Sequence, residues 1–320
     1  MSASGAGSSD GSGGGSGGAG ALVDRGHVET EGRLGASSDL DAMGTLEVLT
    51  VINNEDQRVA HAVRDRIGVI GDLVGLVVEA QRGGGRFVTL GAGTSGRLGV
   101  LDSSELPPTF RADPERWVAV IAGGDSALRR SSESREDELD GAFGELDRLG
   151  VGAGDVVLGI AAGGSTAYVL GGVEEAKKRG ARTGMLVCCA VEKPDWCDVL
   201  IDVVTGAEVV TGSTRMKAGT ATKLVLNMVT TAAMVRMGKV YGNLMVDLRA
   251  TNAKLRDRGA RIIAELTGLG REESVGLLDR AHGEVKVALV MHGRSVGYDG
   301  ARGLLDEHGG DLRGVIGDPA

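Results

Sequence analysis

The sequence predicts an α/β fold: a doubly wound, parallel, five-stranded sheet with flanking helices, followed by a small all-helical C-terminal cap domain. Three observations predict it. Short apolar runs at 87–90, 117–121, 156–160, 183–188 and 199–204 alternate with helix-length segments near 126–149, 166–179 and 215–238. Such alternation implies parallel strands covered on both faces by helices. Turns rich in glycine, serine and threonine follow the strands at 91–97, 123–126, 163–166 and 211–215, where ligands of open α/β sheets bind. Finally, 270–285 and 297–312 repeat one another at an offset of 27 residues, with Leu277-Leu278-Asp279 matching Leu304-Leu305-Asp306 and Gly283 matching Gly310. Two copies are too few for a solenoid and read as paired short helices.

From the N-terminus, residues 1–27 are mostly Gly, Ser and Ala. Such a stretch cannot bury enough surface to offset its ordering entropy and is expected to be disordered. Folded structure is expected from Val28. Asp39 offers a helix N-cap, and Met43, Leu46, Leu49, Val51 and Ile52 form a helical stripe that Asn53-Asn54-Glu55-Asp56 is expected to break. Val59, Val63, Ile67, Ile70, Val74 and Val77 then recur at spacings of three and four, predicting one long helix that ends at Gly83-Gly84-Gly85. The chain thus divides into a tail at 1–27, an α/β domain with N-terminal helices at 28–260, and a small helical domain at 261–320.

Arg86 to Phe110 is the informative stretch. A buried strand breaks into Gly91-Ala92-Gly93-Thr94-Ser95-Gly96-Arg97, and Leu98 to Leu101 read as the first turn of a helix. Glycines permit close backbone approach, hydroxyls donate, and free N–H groups at a helix start favour an anion. No Gly-Lys-Ser/Thr follows, so this is not a Walker A loop. The spacing G-x-G-x-x-G is present, but a dinucleotide site wants an acidic residue at the end of the next strand. Asp113 precedes that strand instead. A second cluster, Thr211-Gly212-Ser213-Thr214-Arg215-Met216-Lys217, opens a long helix, with Glu208 placed to pair with its cations. Glu105, ten residues after Ser95, is a candidate acid or base.

Composition narrows the function classes. Hydrophobic residues make up 42% and aromatics 2%, so the core is aliphatic, and stacking on single-stranded nucleic acid is disfavoured. A net charge of −9 argues against nucleic acid or an anionic membrane as partner. Three cysteines, Cys188, Cys189 and Cys197, form no disulfide framework and suit a reducing cytosol, predicting a cytoplasmic protein. No metal-ligand spacing accompanies them. No apolar run reaches the length of a membrane span. His282, His292 and His308 lie in the repeat region and are read as structural.

GAGTSGRLGVLDSSELPPTF, EVVTGSTRMKAGTATKLVLNM and GKVYGNLMVDLRATNAKL resemble the N-acetylmuramic acid 6-phosphate etherase family, from about Val28 to the C-terminus, including Thr30-Glu31 and Asp39-Leu40-Asp41. The resemblance implies a sugar-isomerase-type (SIS) phosphosugar fold, a UBA-like C-terminal domain and a homodimer, with no cofactor and no metal. The implied reaction removes D-lactate from the 3-ether of N-acetylmuramate 6-phosphate, giving N-acetylglucosamine 6-phosphate during recycling of cell-wall peptidoglycan. In the open-chain sugar the aldehyde acidifies the C2 proton. A base removes it, an acid protonates the departing ether oxygen, and water adds at C3; two acid/base groups suffice.

The family's glutamate pair falls on Glu105, implied as the acid for lactate departure, and Glu136, the second acid/base group. Glu133, at i−3 on the same expected helix face, competes with Glu136. Substrate and phosphate contacts implied by the motifs are Gly93, Thr94, Ser95, Gly164, Ser165, Thr166, Ser213, Thr214 and Lys217. Where the family reads ASGRTPY, this chain has Ala162-Gly163-Gly164-Ser165-Thr166-Ala167-Tyr168, without the Arg and the Pro. Two other classes share the phosphosugar features: a noncatalytic sugar-phosphate regulator related to the glucokinase regulatory protein, and an SIS-fold sugar-phosphate isomerase. Lactate release separates the first reading from both.

Overall fold

The computed structural model describes residues 29–130 and 135–318. The expected disordered tail and Glu133 lie outside the described residues. Five parallel strands form the central sheet: β1 (Phe87–Gly91), β2 (Trp117–Ile121), β3 (Val156–Ile160), β4 (Arg182–Val187) and β5 (Val199–Asp202), in the order β2-β1-β3-β4-β5. These are the five apolar runs expected, shifted by at most two residues at an end. Alternate residues face opposite sides of the sheet. Phe87, Leu158, Ile160, Leu186 and Ile201 join one core; Val88, Leu90, Val157, Met185 and Val187 join the other.

The first core is covered by α2 (Ile67–Arg82), α3 (Gly93–Phe110) and α6 (Lys217–Arg236), with α1 (Thr45–Arg64) against α6. The second is covered by α4 (Phe143–Leu149) and α5 (Ala167–Lys178). Chain order reverses between β1 and β3, so the loops after these two strands diverge and leave a crevice.

The helices depart from expectation in three places. α1 runs unbroken through Asn53–Asp56 and ends at Arg64; the break falls at Asp65 and Arg66, so the expected single helix from Val59 to Gly83 is two. Buried Glu55 faces Lys217 of α6, and Arg66 forms a fork with Asp202 at 2.8 and 3.2 Å, so tertiary contacts override the local breaker signal. Asp39 makes no side-chain cap and precedes only the 3-10 turn Leu40–Ala42; Glu47 instead accepts from the Gly44 N–H at 2.7 Å to start α1. The expected helix over 126–149 is, among the described residues, a short 3-10 turn (Gly124–Leu128), turns, and the seven-residue α4.

Beyond α6, a hairpin of β6 (Val240–Tyr241) and β7 (Leu244–Met245) leads into α7 (Ala253–Thr267), α8 (Arg271–Arg280), α9 (Val285–Arg294), α10 (Tyr298–Glu307) and α11 (Leu312–Ile316). α10 begins and ends 27 residues after α8, and α11 begins 27 after α9, reproducing the repeat. Gly283 and Gly310 take φ of +80° and +79° at matching corners, where glycine carries no penalty. These helices share an apolar cluster with Tyr241, Val246 and Leu248.

The Lys217–Glu55 pair, at 2.7 Å with side chains 3% and 8% exposed, joins α6 to α1. Removing one member strands a buried charge, whereas replacing both by apolar residues does not. Lys217→Met is therefore expected to destabilise by about 3–5 kcal/mol in chemical denaturation, with most of that loss recovered in Lys217→Met/Glu55→Met.

Candidate active site

The crevice between the β1 and β3 loops opens into a cavity of about 420 Å³. Gly93, Thr94, Ser95 and Arg97 line it from the first turn of α3, Ser165 and Thr166 from the loop before α5, and Gly212 and Thr214 from the loop before α6. The expected loop at 94–97 is helical: α3 starts at Gly93, five residues earlier than the apolar pattern suggests. The early start follows from close packing. A Cβ on Gly91 would stand 2.6 Å from the Gly96 nitrogen, and one on Gly96 would stand 2.6 Å from Ile121 Cγ1. With neither present, the helix begins directly against the strand, and its first N–H groups, which have no intrahelical acceptor, face the crevice.

Glu136 also lines the cavity. It lies in a turn, so the expected helical face shared with Glu133 is absent at Glu136. Its carbonyl accepts from the Tyr168 N–H at 3.0 Å, which fixes the turn to the start of α5. Its Oε1 comes within 3.1 Å of where a Cβ on Gly93 would stand, placing the carboxylate over the start of α3. Gly93 has φ of +51°, which suits glycine, and its bare Cα leaves that approach open.

Of the predicted binding residues, Gly93, Thr94, Ser95, Ser165, Thr166 and Thr214 come together here, while Gly164, Ser213 and Lys217 are not among the lining residues. Gly164 turns the loop with φ of +70° and packs towards Val191. The Ser213 N–H donates to the Val210 carbonyl at 2.9 Å. Lys217 is a correction: its ammonium is buried against Glu55. Glu208 is another. Rather than pairing with cations, its buried carboxylate accepts from the Lys217 and Ala218 N–H groups at 2.9 and 3.0 Å. The N-terminus of α6 thus already holds an internal anion.

Glu105 stands apart. It is exposed, two turns or more along α3 from Ser95, and is not among the residues lining the cavity of this chain. Pro107 and Pro108 lie inside the same helix and remove two backbone donors, so its last turns lose ladder bonds. Ser104 Oγ donates back to the Leu101 carbonyl at 2.8 Å, and Asp102 accepts from Asn227 Nδ2 of α6 at 2.9 Å. Burial holds the Asp102 carboxyl above the usual carboxylate range, against the hydrogen bonds from Asn227 and Thr230.

Two lining residues were missed as site candidates by the sequence reading. Arg97 belongs to the glycine motif, and its Nε donates to the Ala127 carbonyl at 2.9 Å, which fixes the guanidinium at the cavity. Glu31 arrives from the 3-10 turn Glu29–Glu31, far from the motif in sequence.

A larger groove, about 1110 Å³, runs between α2 and α6. Its walls are mainly apolar, among them Ile67, Ile70, Val74, Val78, Leu224 and Met228.

The glucokinase regulatory protein N-terminal SIS domain family matches residues 69–177. An N-acetylmuramic acid 6-phosphate etherase from Mycolicibacterium smegmatis is 48% identical over 92% of this chain and 99% of its own length. N-acetylmuramic acid 6-phosphate etherase 2 from Vibrio parahaemolyticus is 46% identical over 92% of this chain and 98% of its own. Among solved structures, a phosphoheptose isomerase from Francisella tularensis aligns with 60% of this chain and 100% of its own, with a TM-score of 0.47 at 16% identity.

Removing the Glu208 carboxylate leaves two buried N–H groups unpaired at the start of α6. Glu208→Ala is expected to lower stability by about 2–4 kcal/mol in thermal or urea unfolding, since each unsatisfied buried group costs ~1–3 kcal/mol.

Proposed function

Because the chain belongs to the N-acetylmuramic acid 6-phosphate etherase family, we propose a division of labour within its active site. The chain is a carbon–oxygen lyase that acts on N-acetylmuramic acid 6-phosphate. In our reading the sugar 6-phosphate sits among the hydroxyls of Thr94, Ser95, Ser165, Thr166 and Thr214, at the start of α3 and beside the start of α5. Glu136, over Gly93, stands where the carbon chain of a phosphate-anchored sugar extends, and transfers the C2 proton. The enolate so formed expels the 3-ether oxygen, which leaves protonated as D-lactate. Water then adds to the unsaturated aldehyde at C3. The observation that carries this reading is the joining, in one cavity, of hydroxyl-bearing helix starts and the Glu136 carboxylate.

Glu105 is assigned as the acid for lactate departure, acting across a homodimer interface. Three features support it. Glu105 is exposed and outside its own chain's cavity. Leu101, one turn earlier on α3, is 52% exposed and puts apolar surface beside Glu105. The α2–α6 groove and exposed Leu46 and Leu49 on α1 add apolar surface suited to a self-complementary twofold contact. The chain's separate C-terminal apolar cluster supports the division into an α/β domain and a helical domain, with the boundary nearer Tyr241 than residue 261. We place the enzyme in the cytoplasm, where its thiols stay reduced; among the described residues no helix is long and apolar enough to cross a membrane.

Glu105→Gln and Glu136→Gln are each expected to abolish D-lactate release from N-acetylmuramate 6-phosphate while melting like the wild type. Mixed so that subunits exchange, the two inactive variants regain about a quarter of wild-type activity if each site draws one glutamate from each copy of a twofold dimer. No recovery on verified exchange places both glutamates on one chain. Ser95→Ala is expected to raise KM about tenfold, the loss of one charge-assisted hydrogen bond.

A further inference from the structure

Glu31 is a carboxylate at the cavity that neither the elimination nor the fold accounts for. It is solvent-accessible and lines the same cavity as Glu136 and Arg97. Both residues before it are anchored. Glu29 accepts from the Ala190 N–H at 3.1 Å, and Thr30 is completely buried. Gly32, just after it, sits close enough to the Glu29 carbonyl that an added Cβ would stand 3.2 Å away. The Glu31 carboxylate itself has no hydrogen-bond or ion-pair partner among the described residues. Its Oε2 stands 2.9 Å from where a Cβ on Gly212 would be, so it occupies the space that a side chain at 212 would fill. The fold fixes the backbone of this segment and leaves the charged end uncommitted, facing the ligand's space.

An ionised carboxylate only accepts hydrogen bonds. A muramate 6-phosphate offers two anionic groups, which would repel it, and hydroxyl donors along the carbon chain, which would not. We propose that Glu31 is a substrate-contacting residue whose carboxylate accepts hydrogen bonds from the sugar's hydroxyl groups. It thereby selects a polyol chain in a pocket otherwise built for an anion. This inference rests on the etherase reading of the same cavity. The N-terminal segment is then part of the active site, bringing a binding group to the sheet's carboxyl edge from outside the sheet.

The test compares the full-length wild type with Glu31→Gln and Glu31→Ala, using D-lactate release from N-acetylmuramate 6-phosphate, with Glu29→Gln as a control for the segment's anchoring. Glu31 has no internal partner to lose, so both of its variants are expected to keep the wild-type melting temperature. Glu31→Gln is expected to raise KM ~10–100-fold with kcat within a few-fold, the loss of a hydrogen bond to a charged group. Both limbs of the pH–rate profile remain. Unchanged KM in both Glu31 variants overturns the proposal. So does a large fall in kcat with loss of one pH limb, which would make Glu31 a proton-transfer group. If Glu29→Gln reproduces the whole effect, Glu31 acts only through the segment's position, and the proposal also fails. Absence of lactate release by the wild type would sink the etherase reading instead. Calorimetric binding of the same phosphosugar to wild type and Glu31→Gln would then judge Glu31 separately, with equal affinity overturning it.

Discussion

The start of α3 is pressed onto the end of β1, and the candidate active-site crevice depends on that contact. Three glycines make it possible. Side chains at Gly91 and Gly96 would collide with the backbone or with Ile121, and a Cβ at Gly99 would come within 2.7 Å of Thr89 Oγ1. The helix therefore descends along the strand without a spacer, and its first turn opens at the sheet's edge. Because β3 lies next to β1 while the chain reaches it only after β2, the two following loops part at this point. A glycine run that reads as a flexible loop is in fact a packing device. The phosphate site that we propose follows from where it puts N–H groups and hydroxyls.

A second wall comes from α6, and its charges do something else. The hydroxyls and cations before this helix suggest a ready anion site. The anion is already present, since Glu208 closes the helix start and Lys217 turns inward to Glu55. Only Thr214 and Gly212 of this segment reach the cavity. Charged groups here hold the helix in place, while the uncharged Thr214 is left at the cavity. That division has an energetic logic. A buried ion pair with a fixed partner loses much if broken, so it suits a structural role. A hydroxyl both donates and accepts and can serve a ligand that comes and goes.

The sheet was legible in the sequence because buried parallel strands are short apolar runs between turn residues. The repeat was legible because glycine corners recur at a fixed offset. What failed to show were features set by partners distant in the chain. Asn53–Asp56 carries local breaker character, yet Glu55 is pinned by Lys217, 162 residues away, and α1 continues. Among the described residues, the stretch between β2 and α4 has helical composition but is held largely as turns, one of them by the Tyr168 N–H on the Glu136 carbonyl. Glu31 belongs to the Thr30-Glu31 pair that carries part of the family resemblance, but only the folded chain brings it beside Gly212. Within the motif the hydroxyl positions were readable, and the fate of each charge was not.

Charge balance is the remaining problem that the cavity must solve. Its lining includes Glu31 and Glu136, and the N-acetylmuramate 6-phosphate that we propose binds there carries a phosphate and a carboxylate. Anionic groups gathered in one cavity repel one another unless something compensates. The start of α6 is unavailable, having been neutralised by Glu208. The loop before α5 brings the hydroxyls of Ser165 and Thr166 to the cavity and no cation. Two compensating sources remain among the described residues: the oriented N–H groups at the start of α3 and the Arg97 guanidinium, held in place by the Ala127 carbonyl. Both belong to the first turn of α3. In our reading the residues that pack this helix against the strand and those that meet an anionic ligand are therefore neighbours on α3, so the close packing of α3 on β1 also sets where its N–H groups point.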